Sequence, residues 1–186
     1  SNIAFWLTAG VLSDDKIICN GLNVDSPQGD KRICDIVKAF GGDIEITDNT
    51  VTVKGSKTKG IEIDCMDIPD LVPAIAPISA VSEGVTVFKN AGRLRIKESD
   101  RLFTVCDTLS KLGADIKETD DGLIVVGKPE LDGGTVNSHN DHRIAMMCSV
   151  ISAKCKNPVI IEDANAVNKS YPEFFKDFEK LGGEVE

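Results

Sequence analysis

The stretch RLRIKESDRL (93–102) sets six charged side chains in ten positions: Arg93, Arg95, Lys97, Glu98, Asp100 and Arg101. Two readings fit. A solvated turn between strand and helix collects charges of both signs. Alternatively, cations with a carboxylate among them form an anion site that carries its own acid or base. More basic residues stand near helix openings. Ser170 and Glu173 have capping-box spacing, which would set Lys169 immediately before a helix N-terminus, where backbone N–H groups favour anions. IPD (68–70) and NDHR (140–143) read as two further openings, with Asp70 and Asp141 as natural N-caps. Asp141 is taken as a cap, whereas Asp70 stays open between a cap and a base beside a polyanion pocket. His142 alone reads as a structural histidine. Arg143 begins a helix, where its charge opposes the dipole, so it points to an anionic partner.

These residues need a scaffold, and the chain supplies one three times over. RICDIVKAFGG (32–42), FTVCDTLSKLGA (103–114) and EFFKDFEKLGG (173–183) end alike, their first glycines Gly41, Gly113 and Gly182 spaced by 72 and then 69 residues. Eight positions before each glycine stand Ile33, Val105 and Phe174. Four before stand Val37, Leu109 and Phe178, and one before stand Phe40, Leu112 and Leu181. These offsets share one face of a helix that glycine would cap. Alternating hairpins follow the first two copies, DIEITDNTVTVKG (43–55) and DIKETDDGLIVVGK (115–128). Each copy also has an earlier helix and strand: AFWLTAGVL with KIICNG, LVPAIAPISAVS with VTVFKNAG, and RIAMMCSVISA with PVIIEDANA. The unit is helix, strand, loop, helix, hairpin, repeated at about 3–58, 68–130 and 140–186. The third copy shows no hairpin. Pro77 should kink its helix. The strand-to-helix loops NGLNVDSPQGD, NAGRLRIKESDR and DANAVNKSYPE occupy equivalent ends of the three units, so they can converge.

Composition narrows the partners. Lys and Arg total 21 against 30 Asp and Glu, a net charge of −9, which disfavours nucleic acid and anionic membranes; an anion must be gripped by a local basic cluster. The hydrophobic share of 41% suffices for a core, and the apolar runs are too short to span a bilayer. Six cysteines without CxxC or histidine spacing argue against zinc; Cys19, Cys34, Cys106 and Cys148 fall at apolar positions, as in a reducing, cytoplasmic protein. The abrupt opening on AFWLTAG reads as that of a fragment, with Ser1 and Asn2 a cloning remnant.

RIKESDRL (95–102), NDHRIAM (140–146) and KSYPEFF (169–175) resemble the C-terminal half of the 5-enolpyruvylshikimate-3-phosphate synthase family. IPDLVPAIA (68–76) and NIAFWLTAG (2–10) are similar to further segments of it, in the same order along the whole chain. The resemblance implies an α/β (α+β) lobe of an inverse α/β barrel, three βαβαββ units with helices inside and sheets outside. It implies that the N-terminal domain lies outside this chain, and a monomer when complete. The implied reaction moves the enolpyruvyl group of phosphoenolpyruvate to the 5-hydroxyl of shikimate 3-phosphate, on the route to chorismate, with no metal or other cofactor; glyphosate competes for the enolpyruvate pocket. By the resemblance, Asp70 holds the shikimate hydroxyls and takes the 5-hydroxyl proton, and Lys97 binds the shikimate phosphate. Glu98 transfers a proton near the methylene. Arg101, Arg143 and Lys169 clamp phosphoenolpyruvate, with Lys169 a second proton donor and His142 a supporting residue. Arg93 departs from members that carry a substrate-touching asparagine there. Arg95 and Asp100 stay as surface charge or cap. Two alternatives stand beside this reading: the sister transferase acting on UDP-N-acetylglucosamine, and a non-catalytic anion-binding module.

Overall fold

The computed structural model describes residues 2–21 and 30–186, so most of the first strand-to-helix loop, and Ser1, lie outside the described residues. The first unit comprises α1 (Ile3–Leu12), β1 (Ile17–Asn20), α2 (Asp30–Ala39) and the hairpin β2 (Asp43–Thr47) and β3 (Thr50–Lys54). The second comprises β4 (Glu62–Asp64), α3 (Val72–Val81), β5 (Val85–Lys89), α4 (Arg101–Lys111) and the hairpin β6 (Asp115–Glu118) and β7 (Leu123–Val126). The third comprises β8 (Gly134–Asn137), α5 (His142–Ile151), β9 (Val159–Glu162) and α6 (Phe174–Lys180). Three 3-10 segments, Pro69–Leu71, Gly92–Ile96 and Ala164–Lys169, join elements at the end where the charged motifs lie.

Each unit builds its own sheet. The middle one has the order β4-β5-β7-β6, with β4 parallel to β5 and the hairpin antiparallel on the other side of β5. The first is β1-β3-β2, all antiparallel, and the third is the parallel pair β8-β9. Strands β4 and β8 precede residues 68 and 140, where the sequence pattern began. At three and four residues, EID and GTVN are too short for alternation to register.

Burial sorts the helices into two kinds. In α5 every residue is buried, as are residues 72–80 of α3 and most of α1, and these three pack on one another at the centre. A helix apolar on all sides belongs in a core. Helices α2, α4 and α6 are amphipathic and end alike. Gly41, Gly113 and Gly182 all have φ near +90 to +98, and the following residue donates to the carbonyl five back: Gly42 to Val37, Ala114 to Leu109, Gly183 to Phe178. That paired closure is a Schellman motif, and its left-handed residue favours glycine for want of a Cβ. Ile33, Val37, Phe40, Val105, Leu109, Leu112 and Phe174 are buried as the shared face requires, but Leu181 remains 50% exposed, so the third face is only partly covered.

Helix α3 runs through Pro77 without interruption. A proline frees carbonyls one turn back. Thr8 on α1 donates its Oγ1 to the carbonyl of Ala74 at 2.7 Å, which supplies a partner in that turn from the neighbouring core helix.

Candidate active site

The charged motifs meet at one end of the three central helices. Asp70 sits inside the 3-10 turn Pro69–Leu71, flanked by Pro69 and Pro73, and makes no cap bond. Its N-cap reading is therefore corrected: the turn sets the carboxylate against Lys97 and Arg101 of the same unit. Lys97 Nζ lies 3.0 Å from Asp70 Oδ1, and Arg101 Nη1 donates to the same oxygen at 2.9 Å. From α5, Arg143 Nη1 donates to the Asp70 carbonyl at 3.0 Å. Both the side chain and the backbone of Asp70 are thus bound by cations expected around it.

Arg101 is the hub. It is the first residue of α4, 1% exposed, and its fork reaches three carboxylates. Nε and Nη2 grip Asp141 at 2.8 and 3.2 Å, Nη2 also reaches Glu98 at 2.6 Å, and Nη1 holds Asp70. The planar guanidinium suits such bidentate pairing. Asp141 does cap α5, accepting from the Arg143 backbone N–H at 2.9 Å. It is also 0% exposed and the buried counter-ion of Arg101, a role the sequence reading missed. The sequence held no signal for the pair, since nothing in RIKESDRL shows that Arg101 is buried and Asp141 reads as an ordinary N-cap. Ser99 Oγ completes the shell, donating to Asp141 Oδ2 at 2.9 Å, with Thr104 Oγ1 3.2 Å behind it.

The remaining residues fall around this core. Glu98 is exposed apart from its bond to Arg101. Lys169 is exposed and donates Nζ to the Asn140 carbonyl at 2.5 Å, one residue before Asp141. It ends a 3-10 segment, and α6 begins only at Phe174 with no side-chain cap. The capping box at Ser170 and Glu173 does not form, so Lys169 owes its position to the 3-10 segment and not to a helix N-terminus. Aromatic packing fixes the turn between Lys169 and α6. Trp6 Nε1 donates to the Tyr171 hydroxyl at 3.2 Å, that hydroxyl donates to Asp177 at 2.7 Å, and Trp6 stacks on Phe174 at 5.0 Å. Arg93 is exposed. Asp100 caps α4 through the Phe103 N–H at 3.2 Å. Arg95 is more than surface charge, since it bridges Asp100 and Glu118 and donates to the carbonyls of Thr119 and Asp120, tying the loop to the β6–β7 hairpin.

Lys97, Arg101, Arg143 and Lys169 stand against Asp70, Glu98 and Asp141, an excess of one positive charge in a chain of net −9. Burial alone would raise the Asp70 carboxyl, but the Lys97 hydrogen bond and the Arg143, Lys97 and Arg101 charges hold it below the ordinary carboxylate range. Asp141 follows the same pattern, with burial outweighed by Arg101, the Arg143 N–H and Ser99. Burial lowers His142 below the usual histidine value, and the charges of Arg143 and Arg101 add to it against Asp141, so the imidazole is neutral near pH 7. Its Nδ1 is buried with no hydrogen-bond partner, 3.9 Å from Asp141. Among the described residues no group of three or more His, Cys, Asp or Glu could hold a metal ion. Burial pushes the thiols of Cys65 and Cys148 up to about 12, so neither is a thiolate nucleophile near neutrality. Among the described residues no helix is long and apolar enough to cross a membrane.

The cations and carboxylates thus form one connected network, and comparison with known proteins gives the chain its family. The profile for EPSP synthase (3-phosphoshikimate 1-carboxyvinyltransferase) matches residues 1–178. A 3-phosphoshikimate 1-carboxyvinyltransferase from Clostridium novyi (strain NT) is 54% identical over 183 residues, covering 98% of this chain and 42% of that protein. One from Clostridium kluyveri is 50% identical over 186 residues, covering 100% and 43%. The structure of EPSP synthase from Acinetobacter baumannii matches with a TM-score of 0.85 at 28% identity, over 99% of this chain and 46% of the other. The enolpyruvyl transferase NikO from Streptomyces tendae, at 20% identity and a TM-score of 0.77, shares the fold. The chain therefore spans less than half the length of the relatives it matches.

Proposed function

The chain belongs to the EPSP synthase family, and from that premise we propose that it is part of an enzyme making 5-enolpyruvylshikimate 3-phosphate. The 5-hydroxyl oxygen of shikimate 3-phosphate adds to C2 of phosphoenolpyruvate while the methylene carbon gains a proton. The tetrahedral adduct then loses that methyl proton and the C2–O bond to phosphate, which leaves with the proton balance closed. Such a step needs cations around a carboxylate and two phosphates, a base for the hydroxyl and an acid for the methylene.

The observation that carries this reading is the single network in which Lys97, Arg101 and Arg143 surround Asp70. In the proposed assignment Asp70 holds the shikimate hydroxyls and accepts the 5-hydroxyl proton, and Lys97 meets the shikimate phosphate. Arg143, Arg101 and Lys169 meet phosphoenolpyruvate. Glu98, exposed beside Arg101, exchanges the methylene proton, with Lys169 a second donor. Arg101 contributes through the Nη atoms that now reach Asp70 and Glu98, because its other edge is committed to Asp141. Neutral His142 supports the clamp. The remaining contacts come from the part of the relatives' length that this chain does not span, in a cytoplasmic, monomeric protein. The purified full-length protein should release phosphate from phosphoenolpyruvate only with shikimate 3-phosphate. The 186-residue chain alone should fold yet turn over nothing, and recover activity when the other half is added in trans. Turnover with UDP-N-acetylglucosamine in place of shikimate 3-phosphate would overturn the acceptor. Turnover by this chain alone would overturn the split site.

A further inference from the structure

Ser99 lies between two residues assigned to the chemistry, Glu98 and Arg101, and its hydroxyl bonds to Asp141. Thr104, on the first turn of α4 and buried, places Oγ1 3.2 Å from Ser99 Oγ, which in turn donates to Asp141 Oδ2 at 2.9 Å. Asp141 is acceptor-only when ionised, which fixes the direction of this relay: Thr104 donates to Ser99, and Ser99 donates to Asp141. Chained hydroxyls polarise one another and strengthen the last bond. That bond is the only direct side-chain tie between the loop carrying Lys97 and Glu98 and the buried carboxylate that both grips Arg101 and caps the helix of Arg143 among the described residues.

We propose that Ser99 is a positioning residue for the reaction assigned above: its hydroxyl locks the Lys97–Glu98 loop to Asp141, so that cations from α4 and α5 and the carboxylate of Glu98 keep a single relative geometry. The inference rests on the functional reading of the site. Catalysis needs reacting groups held within fractions of an ångström, and locked supporting bonds provide this. Asp141 also faces Arg101 from α4, His142 and Arg143 from its own helix, and Asp70 and Glu98 through Arg101. Ser99 is among the groups that hold its carboxyl low, so loss of the hydroxyl moves Asp141 toward protonation.

The test compares the full-length protein containing this chain with its Ser99→Ala, Ser99→Thr and Thr104→Val variants. In Ser99→Ala, kcat/KM for phosphoenolpyruvate should fall about tenfold and its acidic limb should move to higher pH. Ser99→Thr keeps the hydroxyl and should stay within about twofold, and Thr104→Val should shift both readouts in the same direction by less. The Arg101 Nε–H, followed by NMR hydrogen exchange without substrate, should exchange about tenfold faster in Ser99→Ala. A Ser99→Ala enzyme within about twofold of wild type, or one whose loss follows only its melting temperature with an unmoved acidic limb, overturns the inference. A wild type without turnover defeats the functional reading instead; the Arg101 exchange then decides the link to Asp141, and an unchanged rate rejects it.

Discussion

Replacing Asp141 by asparagine isolates one charge in the network. The amide oxygen can still accept from the Arg143 N–H, so the cap on α5 survives, and the shape hardly changes. What disappears is the partner of a guanidinium only 1% exposed. Breaking a buried pair by removing one member costs about 3–5 kcal/mol, because the other charge stays buried. Arg101 keeps Asp70 and Glu98, both partly exposed, so the loss should sit at the low end, about 3 kcal/mol. In a domain of this size that lowers Tm by about 6–12 °C. Adding Arg101→Met removes the stranded charge, so the double variant should lose at least about 1 kcal/mol less than the sum of the single losses. Urea unfolding of the chain and the three variants measures all four corners. The pH dependence has a definite sign. The folded Asp141 carboxyl is held below its unfolded value of about 3.9, so its stabilisation is complete well above that pH and is lost as pH falls through the folded value. The gap between wild type and Asp141→Asn should therefore narrow below about pH 4. A loss under about 1 kcal/mol at neutral pH, or strict additivity in the double variant, would refute the claim that this buried pair holds Arg101.

His142 titrates from a folded value depressed chiefly by burial, so its NMR midpoint should fall below the free value of about 6.5, and its contribution to stability should be full above that pH and decline as pH drops. A midpoint above about 6.5 would mean that its buried Nδ1 has a charged partner after all. Lys169→Ala in the full-length protein should lower kcat/KM for phosphoenolpyruvate by tenfold or more, equivalent to about 1.4 kcal/mol, while leaving unfolding midpoints within error because Lys169 is exposed and makes one backbone bond. A smaller kinetic loss would remove Lys169 from the clamp.

The repeat was legible because it rests on local rules. Glycine in a left-handed Schellman position and apolar residues eight, four and one before it need only the helix they belong to, and α2, α4 and α6 obey them. The inner place of α1, α3 and α5 was expected only through the family resemblance, although a helix apolar on all sides carries that signal locally. Strands β4 and β8 were not legible, since each is defined by its parallel partner β5 or β9 and by little in its own letters. The site divides along the same line. Residue types and their convergence could be read, but pairing could not. Asp70 and Asp141 carry the same N-cap signature, and only tertiary contacts make one a cap and counter-ion and the other a carboxylate bound by two cations. Ser170 and Glu173 show the converse, a sound local signal overridden when Tyr171 is drawn to Trp6 and Asp177.

The charge arrangement bears on how Asp70 could work as a base. As it stands, two opposing influences act on its carboxyl, and burial is the largest single one, yet Lys97, Arg143 and Arg101 together prevail and keep it a weak acceptor. In the proposed reaction those same cations are what the substrate phosphates and carboxylate would engage. Each positive charge drawn onto a substrate anion is shared away from Asp70, and the dehydrating effect of burial then raises its proton affinity. Anion binding and the base strength of Asp70 would thus be coupled through shared cations: its carboxylate is held ionised while paired to Lys97 and Arg101, and in the proposed reaction would become competent to take a proton when the species to be deprotonated is bound. Arg101 would serve this exchange without losing its place because its inner edge is held by Asp141. That division of one side chain, an anchored edge and an exchangeable edge, is how a nearly inaccessible arginine would take part in the proposed site.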